Sequence, residues 1–244
     1  MFVYDQRTVI IQQINGEGKA FADTFATQTF DQGTVCTDAA FFRDAFRLFV
    51  GCYSPDTAYI YTIDPNTAEI KYSLTIPNHG IKNRLRMFIT NFSKTASDPY
   101  YLVIYDQIFD RNAPVGKNLF AHIVKNVDQR KPTFYNTATI TGLDGNQLSD
   151  IFPYNQYTIA VARKDAESAK FLVQCNYDLI KTLACVTSTQ KTTPIVFGIV
   201  GLDQRYSRYY EVDQTKGTIK VTGLNGDFVD PNWNKAIIKQ VSNV

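Results

Sequence analysis

Residues 61–71, YTIDPNTAEIK, and residues 210–220, YEVDQTKGTIK, share Tyr, Asp, Ile and Lys at the same four offsets. A β-branched residue precedes the Asp in both stretches. Each stretch predicts a strand, a tight turn and a returning strand, because Asp64 and Asp213 can bond turn amides while Pro65 or Gly217 supplies the turn angles. The two copies begin 149 residues apart. They indicate a repeated unit, and the alternative is coincidence in a chain rich in strands and Tyr.

The spacing of apolar segments supports the repeat. Such segments begin near residues 2, 47, 100, 157 and 194, so a unit of roughly 40 to 55 residues recurs about five times. The C-terminal segment NKAIIKQVSNV is predicted to complete the first unit, because an open ring of sheets would leave two bare edges. A count of four units, or a fragment of a larger ring, stays open. The predicted units are residues 1–31 plus 234–244, 32–80, 81–142, 143–189 and 190–233.

This pattern resembles the β-propeller superfamily, in which degenerate repeats end a strand as Ile63-Asp64 and Val212-Asp213 do here, before a turn and an Ile-bearing strand. The WD dipeptide and the kelch double glycine are absent from the sequence. We therefore expect a single all-β domain, a small propeller of about five four-stranded blades, with a β-sandwich or jelly roll as the alternative. The resemblance implies an interaction platform in most members, and a glycosidase or lectin in some five-bladed members.

Composition narrows the possible partners. The 25 basic and 23 acidic residues nearly balance, which makes nucleic acid an unlikely partner. No apolar run reaches the roughly 20 residues of a membrane span, and the first residues lack the pattern of a signal peptide. Aromatic residues make up 14% of the chain and favour strands. Helical periodicity is confined to CTDAAFFRDAFRLF, residues 36–49, where one short helix is predicted. The alternative is a strand and a bend, which Phe41, Phe42 and Phe46 fit equally well.

The cysteines Cys36, Cys52, Cys175 and Cys185 are too few and too widely spaced for a disulfide-dense scaffold. They are expected to be small buried hydrophobic residues in a reduced, intracellular compartment. The alternative is one structural disulfide between Cys36 and Cys52.

The residue types that support catalysis are scarce. His79 and His122 have no Ser or Cys nucleophile motif beside them, and no zinc spacing or phosphate loop occurs, so we expect no enzyme, no cofactor and no metal. Glycoside hydrolysis would need two carboxylates on inner strands. The four strands predicted to lie innermost, facing the central channel of a propeller, are mainly apolar: RLFVGCY, YYLVIYD, YTIAVAR and PIVFGIV. The candidate acids at or near their ends are Asp5, Asp106, Asp150 and Asp203.

Two stretches mix basic and aromatic residues and are predicted as interfaces, because aromatics and Arg concentrate there. The predicted function is a non-catalytic interaction or structural scaffold that binds other proteins or itself. One alternative is a carbohydrate-binding or glycoside-hydrolysing five-bladed propeller, and another is a viral coat β-sandwich. The predicted interface residues are Lys82, Arg84 and Arg86, which alternate as on one face of a strand, and Tyr206, Arg208, Tyr209 and Tyr210.

Overall fold

A computed structural model describes the chain in twelve segments, and every regular element in them is a β-strand. No helix in these segments is long and apolar enough to cross a membrane. The described residues are 2–4, 7–14, 20–91, 99–107, 119–143, 147–154, 157–163, 170–178, 182–195, 198–203, 208–213 and 218–223.

The chain divides into two compact units. The first comprises Met1–Gln107 with Phe120–Thr139, and the second comprises Ile108–Leu119 with Ile140–Val244. In the first unit β1 (Phe2–Tyr4), β2 (Thr8–Ile14) and β3 (Ala20–Thr29) form one sheet. A second sheet consists, in order, of β4 (Val35–Phe42), β5 (Arg47–Tyr53), β6 (Thr57–Ile63) and β7 (Ile70–Pro77). Four further antiparallel strands follow: β8 (Leu85–Asn91), β9 (Tyr100–Asp106), β10 (Phe120–Lys125) and β11 (Thr133–Thr141).

The second unit repeats this arrangement of consecutive antiparallel strands. Its first four strands are β12 (Gln147–Tyr154), β13 (Tyr157–Arg163), β14 (Lys170–Asp178) and β15 (Thr182–Ile195). Its last sheet consists of β16 (Gly198–Asp203), β17 (Arg208–Asp213) and β18 (Thr218–Gly223). The predicted closing strand, residues 234–244, lies outside the described residues.

The sheet β4–β7 is buried on both faces. Side chains alternate between the two faces of a strand, and along β5 Leu48, Val50 and Cys52 pack into one apolar cluster while Phe49 packs into another. The first cluster includes Val9 of β2, and the second includes residues of β8, β9 and β10. This sheet is therefore covered by a neighbouring set of strands on each side. A two-layered sandwich would cover only one face, so the sandwich alternative is wrong.

One glycine sets the distance between two of these sheets. A Cβ placed on Gly51 of β5 would lie 2.3 Å from Leu85 Cδ2 and 3.3 Å from Met87 Cε, both on β8. A larger side chain at this position would displace the side chain of Leu85, and it would press on that of Met87. Glycine at this position lets β8 approach the sheet closely, which brings its polar residues beside those of β4.

The predicted helix in residues 36–49 is wrong. Residues up to Phe42 belong to β4, residues 43–46 form a turn, and β5 begins at Arg47. Cross-strand pairing of Phe41 with Leu48 and of Cys36 with Cys52 overrides the local helical pattern. The order of strands within a unit also needs correction. The apolar strands β5, β9 and β13, read as the inner strands of their units, each come second, after the edge strands β4, β8 and β12.

Candidate functional site

The segment that leads into β8 is fixed by one buried carboxylate. Asp106, at the end of β9, is 2% exposed and accepts four hydrogen bonds from residues 82–84. Its Oδ1 accepts the backbone N–H groups of Asn83 and Arg84, both at 3.0 Å. Its Oδ2 accepts the backbone N–H of Lys82 at 3.2 Å and the side-chain amide of Asn83 at 2.8 Å. A carboxylate that accepts several N–H donors holds a loop rigidly, because each bond is charge-assisted.

Two further contacts hold the same segment from its carbonyl side. The Tyr53 hydroxyl donates to the Asn83 carbonyl at 2.8 Å, and the backbone N–H of Gln107 donates to the Arg84 carbonyl at 2.8 Å. The pKa of Tyr53 is raised, first by burial and then by the negative charge of Asp106. The phenol therefore stays protonated and keeps donating across the physiological pH range.

Polar contacts also join the edge strands β4 and β8. The Arg86 Nε and the backbone N–H of Met87 donate to Asp38 Oδ2, at 2.9 and 2.8 Å. The Thr37 hydroxyl donates to the Leu85 carbonyl at 2.7 Å, and Arg84 Nη2 donates to the Thr37 carbonyl at 3.4 Å. The ion pair is partly buried, since the side chains of Arg86 and Asp38 are 29% and 18% exposed. Solvent screens it less than it screens a surface pair.

Asp38, Lys82, Arg84 and Arg86 are here called the basic platform: Arg86 contacts Asp38, and the segment that carries Lys82 and Arg84 leads directly into β8. Lys82 is exposed, and its ammonium has no hydrogen bond or ion pair to any residue that the structure describes. Asp38 Oδ1 likewise accepts no hydrogen bond within the described segments. The platform therefore offers a cation and a carboxylate oxygen on a backbone that does not need to reorganise.

No family model matches the chain, and no curated protein matches its sequence. Solved structures do match its fold. A protein from Lactobacillus plantarum has a TM-score of 0.58 at 14% identity, over 97% of this chain and 65% of its own. The Dos1 propeller has a TM-score of 0.53 at 14% identity, over 91% of this chain and 52% of its own. The fold of this chain is a β-propeller.

A third similar propeller structure is described as a "putative 6-phosphogluconolactonase" from Bacteroides fragilis. Its TM-score is 0.54 at 13% identity, over 92% of this chain and 63% of its own. The chain thus spans about two-thirds or less of the length of all three structures. The prediction of a non-catalytic scaffold is wrong, because a similar fold described as a carbohydrate-metabolising enzyme favours the carbohydrate alternative. Binding to other proteins or to itself stays a prediction.

Four of the predicted interface residues lie in strands: Arg86 in β8, and Arg208, Tyr209 and Tyr210 in β17. Lys82 and Arg84 precede β8 and only Arg86 lies in it, so these three residues do not alternate along one strand as expected. Arg208, Tyr209 and Tyr210 belong to β17, where they pair with residues of β16 and β18. Tyr206 lies outside the described residues.

The two repeated Asp residues both follow or end a strand before a turn. Asp64 follows β6, and its Oδ1 accepts the backbone N–H of Asn66 at 2.9 Å. The left-handed residue of that turn is Ala68, with a φ of 60°, rather than Pro65. Asp213 is the last residue of β17 and pairs with Thr218; the turn after it lies outside the described residues.

Two of the acids proposed for glycoside hydrolysis are buried and accept backbone N–H groups. Asp106 is occupied by its four N–H donors, and Asp150 is 5% exposed and accepts the backbone N–H of Ile151 at 3.1 Å. Asp203 ends β16, and its backbone lies opposite Arg208 in the register with β17. Asp5 lies outside the described residues.

Both histidines of the propeller belong to a buried network instead of a reactive site. His79 Nδ1 accepts the backbone N–H of Ile81 at 2.9 Å, so its Nε2 donates to the Ser54 carbonyl at 3.0 Å. His122 Nε2 donates to the His79 carbonyl at 2.7 Å, and its Nδ1 accepts the Thr137 hydroxyl at 2.9 Å. Burial lowers the pKa of His122. Each ring uses both nitrogens on structural contacts, which leaves neither for proton transfer to a substrate.

Sequence reasoning missed Asp38 and Tyr53. Asp38 lies in the stretch predicted as a helix, and its partners on β8 are 48 and 49 residues away. Tyr53 contacts a residue 30 positions away. Only the polar character of Thr37 and Asp38, directly before the apolar run at residues 39–42, could have indicated a site.

Proposed function

We propose that this propeller binds a carbohydrate carrying a negative charge, such as a phosphorylated or carboxylated sugar, at the basic platform. The similar fold of a structure named for a phosphorylated sugar lactone supports this ligand class. The observation that carries the proposal concerns two groups that have no hydrogen-bond or ion-pair partner among the described residues: the Lys82 ammonium and Asp38 Oδ1. In this proposal the ammonium binds the anionic group, and Asp38 Oδ1 accepts a hydroxyl group of the same ligand.

Charge and rigidity account for recognition in this proposal. Because Arg86 is already ion-paired with Asp38, the exposed Lys82 ammonium is the charge that attracts an anion in this proposal. The Lys82 ammonium then binds the phosphate or carboxylate as a point charge. Because Asp106 and Tyr53 already hold residues 82–84, little conformational entropy is lost on binding.

Asp38 supplies the selectivity for a sugar over a free anion. Its Oδ2 is occupied by Arg86 and by the backbone of Met87, which fixes the carboxylate, and Oδ1 remains to accept a sugar hydroxyl. A hydrogen bond to a charged acceptor contributes about 1.5 to 3 kcal/mol. A ligand without a hydroxyl forfeits this contribution.

Hydrolysis of a sugar lactone is the second candidate, favoured by the same carboxylate oxygen. In this reaction Asp38 Oδ1 takes a proton from water, the resulting hydroxide attacks the lactone carbonyl, and a neighbouring cation stabilises the oxyanion. The ring oxygen leaves as the alkoxide and takes back the proton held by Asp38, which regenerates the carboxylate and yields the open acid. Glycoside hydrolysis is a weaker fit, because Asp106 cannot serve as the second carboxylate.

Binding is tested by titrating the full chain with 6-phosphogluconate, gluconate, glucose and inorganic phosphate in a calorimeter at low salt. We expect 6-phosphogluconate to bind most tightly and glucose least. Lys82→Gln should weaken binding of 6-phosphogluconate about tenfold, since one charge-assisted hydrogen bond of about 1.4 kcal/mol corresponds to that factor. Asp38→Asn should weaken binding of the sugar acid more than binding of phosphate.

Lys131→Gln is the matched control. Lys131 is exposed in the turn before β11, so the substitution removes the same charge away from the platform. Equal losses in the two Lys variants, or no saturable binding of 6-phosphogluconate by the wild type, would refute the proposal. For the second candidate, proton release from δ-gluconolactone measures hydrolysis, and Asp38→Asn should slow it about 100-fold or more.

A further inference from the structure

The two cysteines outside the Cys36–Cys52 pair also lie directly opposite each other. In the register of β14 with β15, Cys175 is the partner of Cys185, between the pairs Gln174 with Val186 and Asn176 with Ala184. We propose that Cys175 and Cys185 form a second cross-strand disulfide, so that all four cysteines of the chain are oxidised in two pairs. This goes beyond carbohydrate binding and does not depend on it.

The first pair provides the precedent within the same molecule. Cys36 on β4 is the register partner of Cys52 on β5, and the two are joined by a disulfide with their Cα atoms 3.9 Å apart. This outcome corrects the expectation that Cys36 and Cys52 are reduced, and it bears out the alternative pairing. Directly opposite cysteines in this fold are therefore compatible with a disulfide.

Sheet geometry brings the second pair within reach as well. Directly opposite residues of antiparallel strands share a face and have Cα atoms about 4.5 or 5.5 Å apart, depending on the hydrogen-bonding position. Disulfides span Cα separations of about 4.4 to 6.8 Å. Both of these general Cα separations fall within the range that disulfides span.

The hairpin also favours pairing of Cys175 with Cys185 over other partners. Only nine residues separate the two cysteines in sequence, and β14 and β15 follow each other directly. A short closed loop forms readily because its closure costs little entropy. Cys36 and Cys52 are already occupied by each other.

The oxidation requires an electron acceptor, and a small disulfide such as oxidised glutathione supplies one. The thiolate of one cysteine attacks the disulfide, forms a mixed disulfide and releases one thiolate. The thiolate of the second cysteine attacks the protein sulfur of that mixed disulfide and releases the other. The protein loses two hydrogen atoms in total, and one oxidised glutathione becomes two reduced molecules.

Peptide mapping of the full chain tests the pairing. The protein is equilibrated with oxidised glutathione, quenched with acid, alkylated without reduction and digested with trypsin. Cleavage after Lys170, Lys181 and Lys191 places Cys175 in FLVQCNYDLIK and Cys185 in TLACVTSTQK, so the disulfide would join two separate peptides. The tryptic peptides of Cys36 and Cys52 report the first disulfide as an internal reference.

We expect one linked species, FLVQCNYDLIK joined to TLACVTSTQK, and neither peptide in alkylated form. In Cys175→Ser the peptide TLACVTSTQK should become alkylated, while the peptides of Cys36 and Cys52 stay linked. Alkylation of both Cys175 and Cys185 in the wild type would overturn the proposal, as would linkage of either residue to glutathione alone or to another cysteine.

Discussion

Replacing Asp106 by Asn tests whether this carboxylate fixes the segment that carries Lys82 and Arg84. The four donors of residues 82–84 approach both carboxylate oxygens. An Asn side chain keeps one oxygen and presents an N–H group where the second oxygen was, so two of the four bonds are lost. Each hydrogen bond to a charged group contributes about 1.5 to 3 kcal/mol.

The expected loss is about 3 kcal/mol rather than the full sum, because Lys82 and Asn83 are exposed and their released donors can bond water. That loss corresponds to roughly a 100-fold rise in local opening. Hydrogen exchange measured by mass spectrometry on a peptide covering residues 81–88 should therefore show the amides of Lys82, Asn83 and Arg84 exchanging about 100-fold faster.

The control is Asp128→Asn, which makes the same chemical change at an exposed turn position. It should leave the exchange of residues 82–84 unchanged. If Asp106→Asn also leaves these three amides at the wild-type rate, within about twofold, the carboxylate does not hold the segment, and the rigid platform described above is wrong.

Three further predictions concern the stability of the fold. Replacing Cys36 and Cys52 together by Ser should lower the free energy of unfolding by about 3 kcal/mol in urea titrations, because the disulfide closes a loop between residues 16 apart; an unchanged midpoint would contradict this. Gly51→Ala should cost about 2 kcal/mol in the same assay, since its Cβ would overlap the buried side chain of Leu85, and a neutral effect would refute the close approach. Burial lowers the pKa of His122, so the stability that the neutral ring contributes is fully present above the unfolded pKa of about 6.5 and is lost as the pH falls through the folded pKa. The free energy of unfolding measured from pH 8 to 5 should therefore fall less for His122→Gln than for the wild type. Parallel curves for the two proteins would contradict a buried neutral His122.

Short-range sequence patterns predicted the strands, because strand formation depends on residues only a few positions apart. The residues around Asp64 form a turn between two strands, with the Asp side chain bonded to a turn amide. The apolar segment RLFVGCY forms a strand, β5, buried on both faces. Alternation, β-branched residues and turn formers lie within a few positions of each other and can be read directly.

The basic platform could be predicted only in part. Its basic residues were identified from their clustering at 82–86, whereas Asp38 was assigned to a helix. The difference is physical: Asp38 meets Arg86 only because β4 and β8 are edge strands whose sheets pack together across Gly51. Contacts over 48 residues of sequence depend on sheet packing, which no local pattern encodes.

The order of strands within each unit was also beyond local reasoning. The sequence pattern predicts the most apolar strand as the first of its unit, whereas β5 and β9 each come second. These strands are the most apolar because a strand with a neighbour on each side is more completely buried than an edge strand. The edge strand β4 has a mixed burial pattern and therefore reads less clearly in the sequence. Its polar residues Thr37 and Asp38 form the hydrogen bonds to residues 84–87.

A crystal structure of the full chain soaked with 6-phosphogluconate tests the proposed carbohydrate site most directly. We predict the phosphate or carboxylate about 2.7 to 3.2 Å from the Lys82 ammonium and a sugar hydroxyl at a similar distance from Asp38 Oδ1. Occupancy should disappear in Lys82→Gln crystals soaked in the same way. A ligand bound at another surface, or an empty platform at saturating ligand concentration, would contradict the account.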